Sequence, residues 1–165
     1  MRGVTGQQTD NTVEGVMLSS TKSMQVSLQA VRSGKAGLDA HRQSMLNRVP
    51  ERGNYAAFEH ESINLKDLAY LTAKTGDEFA LLRGKKEDIL FHGDPENCNF
   101  VGLLGEVLLE RKLELVGHSH LTEDRPIASS NDRLALKRIG QAKSTIISVR
   151  TGMCTEFVQN EFDNL

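Results

Sequence analysis

Long apolar runs are missing from this chain of 165 residues. None approaches the ~20 consecutive apolar residues that a membrane-spanning helix needs, so no membrane partner is expected. The opening stretch, MRGVTGQQTDNTVEG, has no apolar h-region and argues against a secretory signal. An excess of charge is missing too. A net charge of -2 and the lack of a basic stripe give no electrostatic case for a nucleic-acid partner. Cysteine is scarce: Cys98 and Cys154 form no metal-type pair, and with no export signal, reduced thiols in a cytoplasm are the default. There is no internal repeat and no low-complexity segment. These absences point to a cytoplasmic globular protein, long enough for one domain with a real core, and leave its chemistry open.

What is present divides near residue 60. The first twenty residues are rich in Gly, Thr, Gln, Asn and Ser and lack periodicity, which predicts flexibility. Met24, Leu28 and Val31 recur at helical spacing between Lys22 and Arg32, and Gly34 ends the pattern. Gly37 to Arg48 reads as a second short helix stopped by Pro50. Residues 1–60 are therefore expected to be an N-terminal extension, partly disordered and partly helical, either a docking arm or a helical appendage on the main domain.

The main domain is expected over residues 61–160. Asn64 and Asp67 have capping-box spacing, Leu65, Leu68 and Leu71 supply an apolar face, and Gly76 is a C-terminal stop. Apolar runs on both sides of Gly84-Lys85-Lys86 predict a β-hairpin. A helix is expected over Asn99–Lys112, a strand over Leu113–Gly117, a helix over Asp132–Gln141 and a β-branched strand over Ser144–Val149. This order predicts an α/β fold with a mixed sheet.

Chemistry concentrates in one stretch, Gly117-His118-Ser119-His120. Side chains at i and i+2 of a strand share a face, so His118 and His120 can converge on one ion. Asp132 begins the following helix. Two imidazoles and a carboxylate make a three-ligand site that leaves the fourth position of a tetrahedral zinc to water. Taken alone, the stretch also admits a plainer reading: many His-x-His pairs bind nothing, and Ser129 with Asp132 has the spacing of a helix cap. His92, Asp94 and Cys98 form a second cluster of ligand types, but the Gly-Asp-Pro sequence there has the turn chemistry of a loop.

The wider pattern is more specific. Glu78 precedes a short apolar run that ends at Gly84. His118-Ser119-His120 follows, then a spacer of eight residues, Ser129, two residues and Asp132. This order resembles the signature of the JAMM metalloproteases, the JAB/MPN domain family: a Glu on an early strand, His-x-His, about seven residues, Ser, two residues and Asp. The resemblance covers roughly Ile63 to Phe157 and is to simple, prokaryotic-type members. It departs in the spacer, one residue longer, and in Leu121, which stands where the family usually has proline.

The resemblance implies a cytidine-deaminase-like mixed sheet flanked by helices. It implies Zn2+ held by His118, His120 and Asp132, with Glu78 as general base and Ser129 as the hydrogen-bonding residue that stabilises the oxyanion. It also implies hydrolysis of a peptide or isopeptide bond by a zinc-activated water. The partner would be a protein or peptide, cleaved near the C-terminus of a ubiquitin-like or other extended segment. Two alternatives stand beside it. A catalytically inactive JAB/MPN-like scaffold would fit the altered spacer. A calcineurin-like metallophosphoesterase would share Gly-His-Ser-His, but the chain lacks the Gly-Asn-His that family needs.

Overall fold

The computed structural model describes residues 12–13, 16–17, 22–98, 112–121 and 126–159. The elements are β1 (Thr12–Val13), β2 (Val16–Met17), α1 (Lys22–Arg32), α2 (Ala40–Arg48), β3 (Tyr55–Glu59) and α3 (Leu65–Thr75). They continue with β4 (Phe79–Arg83), β5 (Glu87–His92), β6 (Glu114–His120), α4 (Ser130–Ile139), β7 (Lys143–Ser148) and β8 (Cys154–Val158). The fold is mixed α/β. Six strands form one sheet in the order β8-β7-β6-β4-β5-β3, and the short β2 and β1 extend it beyond β8. Neighbours are antiparallel except β6 and β7, which run parallel.

Local sequence explains several of these elements. In α3 the Asn64 side chain accepts from Asp67 N and the Asp67 side chain accepts from Asn64 N, which closes a capping box. Gly76 ends the helix in the left-handed region at φ 78°, where glycine carries no Cβ penalty. Gly84–Lys86 turns β4 back as β5, with Phe79 opposite His92 and Arg83 opposite Asp88.

The two-residue period of β4 sorts its side chains between two cores. Phe79 and Leu81 pack with Leu68 and Leu71 of α3 and Leu28 of α1, while Ala80 and Leu82 face Leu115, Ile146, Phe157 and Leu136 of α4. Gly117 allows α3 and β7 to close on β6. A Cβ there would lie 2.5 Å from Leu65 Cδ2 and 2.6 Å from the Thr145 carbonyl oxygen.

Some expectations need correction. Leu28, Met45 and Val49 are fully buried in the same core as Leu68 and Leu71, and β3 pairs with β5 at the sheet edge. Of the two expectations for this region, the packing is that of a helical appendage on the main domain, since α1 and α2 cover the apolar face of α3. β3 and β8 were not anticipated, and β6 runs on through both histidines rather than ending at Gly117. The helix expected over Asn99–Lys112 falls outside the described residues except for Lys112, as do the first twenty residues apart from β1 and β2. No helix among the described residues is long and apolar enough to cross a membrane.

Candidate metal centre

His118 and His120 sit at the C-terminal end of β6, on one face of the strand. Because β6 and β7 are parallel, the chain must cross back between them, and α4 lies on that crossover. The first turn of α4 is thereby brought to the carboxyl end of β6, the end of a parallel strand pair where ligands commonly bind. Ser129 is the N-cap: its hydroxyl accepts from Asp132 N at 3.1 Å, and its own N–H donates to Asp132 Oδ2 at 2.8 Å. This box fixes the Asp132 carboxylate in front of the histidines. Oδ1 lies 3.1 Å from His118 Nε2, and Oδ2 lies 3.3 Å from His120 Nε2. The two Nε2 atoms are themselves 3.1 Å apart.

Glu78 arrives from the other side. Ala80 pairs with His118 in the antiparallel β4–β6 ladder, so the same register continued places Glu78 opposite His120. Its carboxylate and the two imidazoles offer ligand atoms that all lie within 4.8 Å of one another, and all three residues are buried. Glu78, His118 and His120 form a group that could hold a metal ion, and Asp132, bonded to both histidines, adds a second carboxylate. Residues from three separate stretches of sequence thus meet at one point, with Ser129 attached through Asp132.

The Asp132 side chain is held as a carboxylate. Burial opposes ionisation of Asp132, but hydrogen bonds from His118 and His120, reinforced by the Ser129 N–H, outweigh it and hold the carboxyl far below the usual range. The Cys98 thiol is pushed up, first by burial and then by the negative charges of Glu78 and Asp132, which disfavours the thiolate. His118 Nδ1 is buried with no hydrogen-bond partner, and the ring is packed edge-on against Phe157 at a centroid distance of 5.8 Å.

A cavity of about 370 Å³ opens beside the group, lined by His118 and Asp132, by Asp94 and Cys98 of the loop after β5, and by Ala135 and Arg138 of α4. Sequence reasoning missed this wall. Asn131, Leu134, Ala135 and Arg138 recur at i, i+3, i+4 and i+7, a spacing that marks one helix face and could have signalled it. His92, Asp94 and Cys98 do not converge on a common point. His92 is engaged at both ring nitrogens, 2.7 Å from the Val49 carbonyl oxygen and 2.7 Å from Asp77 Oδ2, and Asp94 accepts from Glu96 N and Asn97 N in a turn.

The fold and the site thus define a mixed α/β protein with a buried His/Glu group able to hold a metal ion. No protein-family model, curated protein or solved structure matches the chain.

Proposed function

We propose that this protein is a zinc-dependent metallopeptidase or isopeptidase of the JAMM type, built on a JAB/MPN-like sheet. One observation carries the reading: of the residues that match the JAMM signature in order, Glu78, His118 and His120 form one buried group, and Asp132, held by Ser129, reaches both histidines. The donor set fits zinc. With bonds of about 2.0–2.1 Å, neighbouring ligand atoms of a tetrahedral shell stand about 3.3–3.4 Å apart. The two imidazole nitrogens of His118 and His120 stand 3.1 Å apart, close to that spacing, and each has one oxygen of Asp132 beside it, Oδ1 at 3.1 Å and Oδ2 at 3.3 Å. His118, His120 and Asp132 are the proposed ligands.

When bound, zinc supplies Lewis acidity that makes water nucleophilic near neutral pH. The chain's own residues do the rest. Glu78, buried at the entry to β4, takes the proton of the attacking water and passes it to the leaving amine. The Ser129 hydroxyl accepts from Asp132 N, so its one proton remains to donate to the carbonyl oxygen as charge develops there. The neighbouring cavity holds the protein or peptide segment being cleaved.

The test is metal content together with hydrolysis. Protein purified without chelator is expected to carry one zinc per chain and to cleave members of a quenched-fluorescent peptide and isopeptide library. Chelation should abolish that activity and added zinc restore it. Bound zinc with no cleavage of any library member would favour a scaffold over an enzyme. Hydrolysis of a chromogenic phosphodiester instead would favour the phosphoesterase reading.

A further inference from the structure

Ser119, the residue between the two histidines, faces away from them. It is fully buried on the α3 side of the sheet, and three partners meet its hydroxyl. Thr72 Oγ1 of α3 lies 2.6 Å from Ser119 Oγ, Phe79 N donates to it at 3.0 Å, and it donates to the Phe79 carbonyl oxygen at 3.3 Å. A serine hydroxyl has one proton and two lone pairs. The accounting closes if Thr72 and Phe79 N donate and Ser119 donates to Phe79 O.

The position gives this saturated hydroxyl its meaning. The last paired residues of the β4–β6 ladder are Ala80 and His118. One step further, where Phe79 would face Ser119, the Ser119 side chain bonds both backbone polar groups of Phe79. Glu78 is the next residue along β4, and His118 and His120 are the neighbours of Ser119 along β6. Thr72 in turn ties this junction to α3, which the glycine at 117 already brings close to β6.

We infer that the Thr72–Ser119–Phe79 junction is the positioning device of the metal centre, fixing the stretch of β6 that carries both histidine ligands against the start of β4, where Glu78 stands. This rests on the metal reading above and extends it to residues that touch neither metal nor substrate. Partners that orient metal ligands from behind typically change affinity about 10–100-fold when removed.

The experiment uses the full chain, with zinc alone and cobalt(II) alone as probes. Ser119→Ala strips Phe79 of its partners and can fail to fold, so the deciding variant is Thr72→Val, which keeps shape and removes only the hydroxyl. Thr72→Ser restores the hydroxyl. Thr72→Val is expected to bind zinc about 10-fold or more weakly, with altered cobalt(II) absorption bands. Thr72→Ser should return both readouts to near wild type. If folded Thr72→Val loses thermal stability but keeps wild-type zinc affinity and cobalt spectrum, the hydroxyls are merely structural and the inference is overturned, while the metal reading stands. A wild-type chain that takes up neither ion overturns both.

Discussion

Asp88→Asn should weaken the fold by about 3 kcal/mol, and the loss should fade in acid. Asp88 lies on β5, and its side chain is fully buried. Its carboxylate takes two hydrogen bonds from Arg83, Nε to Oδ1 at 2.9 Å and Nη2 to Oδ2 at 3.1 Å. It also takes longer ones from Glu61 N at 3.2 Å and Ile63 N at 3.3 Å. Glu61 has a positive φ of 60°, so the carboxylate also holds the β3–α3 connection in an unfavourable conformation. Breaking a buried pair by removing one partner costs about 3–5 kcal/mol. Arg83 is 28% exposed and can recover some hydration, which places the estimate at the lower end, about 3 kcal/mol. In a chain of this size that lowers the Tm by roughly 6–12 °C.

The pH dependence has a definite sign. Burial opposes ionisation of Asp88, but the Arg83 hydrogen bonds outweigh it and the folded-state pKa is lowered. The stabilisation is therefore complete above the unfolded pKa of about 3.9 and is lost as the pH falls through the still lower folded value. Urea unfolding of both proteins between pH 7 and pH 3 measures this, followed by far-ultraviolet circular dichroism because the chain has no tryptophan. The reasoning is refuted if the two proteins are equally stable at pH 7, or if the gap between them widens as the pH falls.

Four further perturbations probe the site and the core. Asp132→Asn replaces the proposed anionic ligand by a neutral amide and should lose zinc on dialysis. Glu78→Gln should keep zinc yet hydrolyse at least about 10²–10⁴-fold more slowly. Zinc analysis of both proteins decides, and loss of metal from Glu78→Gln would make Glu78 a ligand instead of the base. Gly117→Ala should destabilise by about 1–3 kcal/mol through overpacking, because the Thr145 carbonyl oxygen 2.6 Å from the new Cβ is backbone and yields poorly. Deleting residues 1–60 uncovers Leu68 and Leu71, and the truncated chain should fail to give a cooperative melt; a sharp transition at the full-length Tm would show that α1 and α2 are dispensable.

The sequence by itself determined the features that depend on a few neighbouring residues. Asn64, Asp67 and Gly76 bound α3, Ser129 and Asp132 open α4, and Gly84–Lys86 reverses the chain between β4 and β5. The sharing of a face by His118 and His120 follows from the pleat of any strand. The order of Glu, His-x-His, Ser and Asp was also legible, but only as a resemblance, since order along a chain carries no distance.

Tertiary structure alone decided what meets what. The parallel β6–β7 crossover brings Asp132 to the histidines, and the β4–β6 register brings Glu78. The same holds for Arg83 turning inward to Asp88, Thr72 reaching Ser119 from α3, and Leu28 and Met45 joining the main core. None of these partners is marked by a local pattern. β3, with sequence YAAFE, has neither a run of β-branched residues nor clean alternation, and becomes a strand because β5 offers it an edge. Local conformation is set by interactions within a turn or two of chain. A site built from residues far apart is set by sheet register and helix packing, which arise from burying apolar surface across the whole domain.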